Sequence, residues 1–202
     1  MKTQFARKPF KLNEKEFMYH FVKQADKLVS LTYDIDSFNK QLIKELYNYF
    51  SYSSDFDGDL TKGICVSGNY GVGKDSMFDA INNVFRSFMH PTFKPYHAKE
   101  IIDFYRGNDY ASIVYIKQTH KHILIRDIGS DNAQIKHFGD TLNPLEDILL
   151  ERYENFRNYR FLTHLTTNFS FEQLNARFTP RLQSRFREMF NFFYLEGPDR
   201  RC

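Results

Sequence analysis

Apolar residues along this chain follow two alternating rhythms, a helical spacing of three to four and short unbroken runs. Residues 36–50 place Phe38, Leu42, Leu46 and Tyr49 on one helical face, with Asp36 or Ser37 positioned to cap the start. Residues 51–62 are polar. Their Asp55-Phe56-Asp57-Gly58-Asp59 run resembles part of a calcium loop. Its glycine comes two places early and no glutamate closes it, so a solvated turn is expected. Gly63-Ile64-Cys65-Val66-Ser67 is a short apolar run leading into Gly68, the pattern of a buried strand. Residues 75–88 then put Met77, Ile81, Val84, Phe85 and Phe88 inward on a helix.

The alternation continues downstream. Strands are expected at 93–97, 122–125, 160–167 and 192–195. Helices are expected at 99–105, 110–118, 141–157, 171–177 and 180–189. Strands alternating with helices imply an α/β fold with a mostly parallel sheet sandwiched between helices, and ligands in such a fold sit at the carboxyl ends of the strands.

Composition narrows the class. A chain of 202 residues can bury a continuous core without disulfides or a structural metal, and its two cysteines, Cys65 and Cys202, exclude a disulfide framework. No apolar run approaches the ~18 residues of a membrane helix. With no apolar signal-peptide core either, a soluble, cytoplasmic protein is expected, with no membrane partner. The net charge of +3 is unevenly spread. Residues 1–30 hold Lys2, Arg7, Lys8, Lys11, Lys15, Lys23 and Lys27 against Glu14, Glu16 and Asp26, so the remainder is slightly acidic. The division expected is a basic N-terminal arm over 1–35, studded with Phe5, Phe10, Phe17, Tyr19 and Phe21, and a nucleotide-binding domain over 36–202. The arm could dock a partner or nucleic acid, or be a short helix packed on the core.

The chemistry lies between the first strand and its helix. Gly68-Asn69-Tyr70-Gly71-Val72-Gly73-Lys74 matches the first seven positions of the phosphate-loop pattern in the right context. Glycines let backbone N–H groups converge on phosphate oxygens, the helix N-terminus adds partial positive charge, and Lys74 reaches the β and γ phosphates. One position departs. The hydroxyl residue that would hold Mg²⁺ after the lysine is replaced by Asp75, with Ser76 one step later. His120, His122 and His164 lack acidic or cysteine partners at ligand spacing, so metal binding by them is not expected.

Together with the loop, the run Ile123-Leu124-Ile125-Arg126-Asp127-Ile128-Gly129 resembles the DnaC/IstB-like branch of AAA+ ATPases, the P-loop proteins that include bacterial replicative helicase loaders and transposition helpers. In that branch two acids precede the apolar residue and glycine. Aligning Ile128-Gly129 puts Arg126 at the Mg²⁺ acid and Asp127 at the catalytic acid. Sliding by one makes Asp127 the Mg²⁺ acid and leaves Ile128 at the catalytic position. The resemblance continues over about 36–202. Asp147-Ile148-Leu149-Leu150-Glu151-Arg152-Tyr153 is similar to the helix before the sensor strand, and Thr166-Thr167-Asn168 to the sensor. Arg181-Leu182-Gln183-Ser184-Arg185-Phe186 is similar to the motif bearing an arginine finger, with Arg185 at the finger. Gly197-Pro198-Asp199-Arg200-Arg201 is similar to the closing Gly-Glu-Ser-x-Arg, with Arg201 at its arginine.

The resemblance implies a lidless AAA+ core that binds ATP at a subunit interface. Gly68 to Ser76 and Arg201 would hold the nucleotide, Asp127 and Asp75 would bind Mg²⁺ at a degenerate site, and Asp127, Asn168 and Arg185 would carry hydrolysis. Arg185 would act in trans within a homo-oligomer. Asp75 and Arg126, at the two positions that normally share the metal, are expected to pair and weaken hydrolysis. The implied partners are a replicative helicase and single-stranded DNA. Alternatives are a small P-loop kinase acting on a nucleotide or nucleoside, a transposition-helper ATPase, and a silent scaffold that keeps ATP as a structural ligand. A kinase lid would fall in 129–140, which contains no arginine and only Lys136 among lysines.

Overall fold

The structure is a computed structural model describing residues 10–29, 32–90, 92–130, 134–137 and 140–201. Phe5, Lys2, Arg7, Lys8, Cys202 and parts of the 129–140 segment lie outside the described residues. The chain forms two compact units, one drawn from the chain up to Leu60 and from Asp75 to Thr92, the other from Thr61 to Lys74 and from Phe93 onward.

The first unit contains α1 (Glu14–Ala25), α2 (Lys40–Ser51) and nearly all of α3 (Lys74–Ser87). Helix α1 starts at a capping box in which the Asn13 side chain accepts the Glu16 N–H and the Glu16 carboxylate accepts the Asn13 N–H, each at 3.0 Å. Its inward face carries Phe17, Phe21 and Ala25, all fully buried. Phe10 stacks on Phe85 at 4.0 Å and the Tyr47 hydroxyl donates to the Leu12 carbonyl at 2.9 Å. Burying each such ring contributes about 2–3 kcal/mol, so these aromatics hold the unit together. Tyr19 is the exception, exposed and covered on one side by Lys23.

Helix α2 begins four residues later than its periodicity suggests. Asp36 Oδ1 accepts the N–H groups of Phe38 and Asn39 at 2.8 and 3.1 Å, and the buried Asn39 amide donates to the Asp34 carbonyl. This turn leaves Phe38 outside the helix and 47% exposed, so Phe38 does not belong to the core face. Residues 53–59 are a turn tied to α2, with the Asp57 N–H donating to buried Glu45.

The second unit holds a five-stranded parallel sheet flanked by helices. Its strands are β1 (Gly63–Gly68), β2 (Phe93–His97), β3 (His122–Arg126), β6 (Thr163–Thr167) and β7 (Phe190–Leu195), in the order β2-β3-β6-β1-β7. The register pairs Cys65 with both Leu165 and Phe192. Every residue of β1 and β6 is buried, as expected for central strands covered on both faces. Burial pushes the Cys65 thiol up to about 12, so it behaves as a core apolar group.

The helices of this unit are α4 (Ala98–Arg106), α5 (Tyr110–Gln118), α6 (Pro144–Tyr159), α7 (Phe171–Asn175) and α8 (Pro180–Met189). A small antiparallel ribbon of β4 (Ile135–His137) and β5 (Asp140–Leu142) precedes α6. The ribbon takes residues 141 and 142 out of the expected helix. Helix α6 starts instead at Pro144, with the Asn143 side chain accepting the Leu145 and Glu146 N–H groups. Arg160, at φ 60°, ends α6, so β6 starts at Thr163 rather than 160. Asp147 Oδ2 receives both the Tyr105 hydroxyl and the Lys117 ammonium at 2.5 Å, joining α4, α5 and α6. Buried Glu146 accepts the Thr179 hydroxyl and N–H, joining α6 to the start of α8. No helix among the described residues is long and apolar enough to cross a membrane.

Candidate nucleotide site

The loop after β1 turns through two glycines in the left-handed region, Gly71 at φ +74° and Gly73 at φ +94°, a backbone that L side chains rarely adopt. Gly71 is required for a second reason. A Cβ there would lie 1.9 Å from Asp199 Oδ1, so the carboxylate packs directly on the loop. Within the loop Val72 is buried, while Asn69 and Tyr70 are exposed. The loop passes into α3, whose first turn carries Asp75 and Ser76.

Lys74 is buried, and its ammonium donates to the Gly68 and Asn69 carbonyls at 2.8 Å each and to Asn168 Oδ1 at 2.6 Å. A lysine ammonium has three donors and no acceptor, so three oxygens satisfy it and the amide oxygen of Asn168 must face it. Asn168 is delivered by the end of β6. The Ser67 hydroxyl donates to the Phe169 carbonyl at 2.6 Å, and the Thr167 hydroxyl donates to the Ile128 carbonyl at 2.8 Å. These bonds gather the carboxyl ends of β1, β3 and β6 at one point.

Asp127 follows β3 in a conformation costly for a non-glycine residue, φ 52°. The Thr166 hydroxyl accepts its N–H at 3.1 Å, and the Thr166 carbonyl accepts the next N–H, from Ile128, at 2.9 Å. Gly129, at φ +92°, completes the turn. Arg126 is the last residue of β3, in register with His97.

The closing segment meets the loop at Arg200. The Arg200 N–H donates to the Gly71 carbonyl at 3.0 Å, and the Arg200 side chain lies beside Gly73. The Arg201 N–H turns back to Asp199 Oδ1 at 3.0 Å and its side chain is exposed. The motif resemblance points to Arg201, while the bond to the Gly71 carbonyl is made by the backbone of Arg200, which matches no motif position. Arg185 is on α8, its guanidinium 4.8 Å from the Tyr153 ring centre and bonded to the Arg181 carbonyl. Arg177 matches no motif position in the sequence. Its guanidinium lies 3.9 Å from the ring centre of Phe169, the residue after Asn168, and its aliphatic stem lies beside Gly129.

Two of the histidines accept backbone N–H groups. Nδ1 of fully buried His164 takes the Ile64 N–H at 3.1 Å, and Nδ1 of His122 takes the Leu162 N–H at 2.8 Å. Burial, followed by the nearby His122 and Arg152, holds His164 well below the usual imidazole range.

No protein-family model matches this chain, and no curated protein matches it in sequence. Its solved-structure neighbours are informative. DnaI aligns over 90% of this chain and 92% of its own, at 19% identity and TM-score 0.63. The DnaC helicase loader aligns over 86% of this chain and 99% of its own, at 18% identity and TM-score 0.59. AMPPCP-bound DnaA from Aquifex aeolicus aligns at 14% identity and TM-score 0.54, with 84% of this chain spanning 50% of that one. The strand order, the glycine loop entering a helix and these superpositions agree: the fold of this chain is the DnaC-like AAA+ fold, an α/β P-loop architecture.

Proposed function

We propose that this chain is an ATP-binding AAA+ protein of DNA replication that acts as a helicase-loader-like factor. The observation that carries the reading is the buried Lys74 ammonium, seated between the loop carbonyls and Asn168 where three strand ends converge. The residues fit a nucleotide polyphosphate. Gly71 and Gly73 turn the loop backbone, Lys74 supplies the charge, and the start of α3 supplies a helix N-terminus. Asn69, Tyr70, Val72, Asp75 and Ser76 complete this strand-to-helix passage, and the closing segment offers Arg201, with Arg200 beside Gly73, as a second cation.

In this reading Asn168 and Asp127 flank the phosphates, Asp127 orienting the attacking water and Asn168 its γ-phosphate neighbour. Arg185 reaches the site of the next subunit in a homo-oligomer. In the alternative alignment Asp127 would instead be the Mg²⁺ acid of the second unit, while Asp75, the other acid the resemblance implies for the ion, belongs to the first; Mg²⁺ would supply neutralisation of phosphate charge. Carboxylates are the hard oxygen donors that suit Mg²⁺ beside a nucleotide, and no group of three metal-capable side chains occurs among the described residues. With Arg126 at one acid position, hydrolysis is expected to be weak while binding persists.

The test is capture by a replicative hexameric helicase with and without ATP, alongside a hydrolysis assay. ATP-dependent capture with slow hydrolysis supports the reading. Phosphate transfer to nucleoside monophosphates with no helicase capture would replace it with the kinase.

A further inference from the structure

Away from the phosphate loop, three aromatic rings meet at the opposite edge of the sheet. His120 immediately precedes β3, and Tyr159 and Phe161 lie just ahead of β6, the strand paired with β3. His120 stacks on Phe161 with centroids 5.0 Å apart and planes within 11°, and Tyr159 stacks on Phe161 at 5.8 Å and 30°. Tyr159 is 61% exposed, and His120 is exposed as well. Exposed Lys121, Arg157 and Arg160 surround the cluster in sequence, and segments 117–122 and 155–161 contain no acidic residue.

The cluster is held from below. Arg152 is fully buried, with no carboxylate among its hydrogen-bond partners in the described residues, and spends its guanidinium on the two ring-bearing segments. It donates to the Thr119 and Lys121 carbonyls at 2.8 and 3.0 Å, to the Phe161 and Leu162 carbonyls at 3.3 and 3.1 Å, and to the Thr163 hydroxyl at 3.2 Å. The His122–Leu162 bond at 2.8 Å adds a further tie. A buried charge held by carbonyls is costly to build, and here it fixes the loops on which His120 and Phe161 stand. Arg160 occupies a left-handed position, φ 60°, between Tyr159 and Phe161.

We propose that His120, Tyr159 and Phe161, with Lys121 and Arg160, form a binding platform for single-stranded nucleic acid. Unpaired bases stack on exposed rings while the cations follow the phosphates, and such stacking is indifferent to base identity. An acidic peptide could use the cations, but it would leave the stacked rings without a function. The inference rests on the reading of this chain as a protein that works at DNA, and it names where the strand is held. The platform lies at the amino ends of β3 and β6, and the nucleotide loop lies at the carboxyl end of β1. A five-residue strand separates the two edges by roughly 16 Å, so the ligands do not compete for one surface.

The experiment is fluorescence anisotropy of the full chain with labelled oligothymidylate of about twelve nucleotides at low and moderate salt. Tyr159→Ala is expected to weaken binding about tenfold, and Tyr159→Phe to retain it. Arg160→Gly, which suits the left-handed backbone, and Lys121→Gln are each expected to reduce the salt slope by about 0.7. Equal oligothymidylate affinity in wild type and Tyr159→Ala, with unchanged thermal unfolding, overturns the platform while leaving the DNA reading standing. Failure of the wild type to bind at low salt also overturns it, and ATP-dependent helicase capture in the same preparation would show that the functional reading survives. Equal displacement of the oligonucleotide by polyglutamate and by unlabelled oligothymidylate assigns the surface to an acidic protein and overturns it too.

Discussion

Lys74 Nζ lies 2.6 Å from Asn168 Oδ1, a bond that joins the phosphate loop to the end of β6 across 94 residues of sequence. The loop lysine is thus fully satisfied by protein oxygens, and a phosphate must exchange for at least one of them. A hydrogen bond to a charged group contributes about 1.5–3 kcal/mol, so this exchange sets part of the affinity. Lys74→Ala should lower affinity for a fluorescent ATP analogue by more than about a hundredfold. Asn168→Ala should leave affinity within about tenfold, because the lost contact is also one that the nucleotide would have to displace, and should reduce turnover instead. Equal losses of binding in both variants would contradict this division.

The seating of Asp199 on Gly71 can be measured by a double-mutant cycle. Gly71→Ala introduces a side chain at φ +74° and a clash with the carboxylate, and should destabilise the protein by about 2–3 kcal/mol in denaturant unfolding. Asp199→Ala in the same background should recover about 1 kcal/mol of that loss and no more, because the backbone strain remains. Strict additivity would show that the closing segment does not press on the loop.

Arg152 is expected to be the most sensitive structural position outside the apolar core. Its removal leaves carbonyls from residues 119, 121, 161 and 162 without their shared donor. Arg152→Ala should cost about 3–5 kcal/mol, read as a loss of Tm. Arg152→Lys should rescue little, since one ammonium cannot span four carbonyls. Burial lowers the guanidinium to about 10, still far above neutrality, so this staple is charged at physiological pH.

His164 makes stability fall in mild acid. Its folded pKa is well below the ordinary 6.5, because the ring is buried and lies near His122 and the Arg152 charge. The unfolded chain therefore takes up a proton that the folded one refuses. Stability is full above about pH 6.5 and drops as pH falls toward the folded pKa, by at most about 1.4 kcal/mol per pH unit from this group. His90, lowered by burial in the first unit, adds in the same direction. His164→Asn, whose amide oxygen can replace Nδ1 as acceptor, should flatten urea-unfolding stability between pH 6.5 and 5. An unchanged slope would rule out this origin.

Most elements were legible in the sequence because they follow from local physics. The strands 93–97 and 122–125 and the helix 110–118 emerged within a residue of their expected bounds, since β-prone runs and helical spacing report burial directly. The boundaries that moved were decided by turn chemistry: the Asp36 turn delayed α2, and Arg160 in the left-handed region delayed β6. The β4–β5 ribbon was missed because its strands have only three residues each, too few to show a period.

The sequence by itself determined that a glycine-rich turn with a lysine joins a buried strand to a helix, because that motif is contiguous and each residue type answers a local need. Tertiary structure alone decided what meets the loop. Asn168, Asp199 and Arg200 arrive from the ends of β6 and β7, and parallel pairing brings those ends to β1 whatever their distance along the chain. The same pairing gathers His120, Tyr159 and Phe161 at the other edge, over a buried arginine whose spacing gives no hint of its partners. Contacts between distant segments depend on strand order and register, and neither is written in any single stretch of residues.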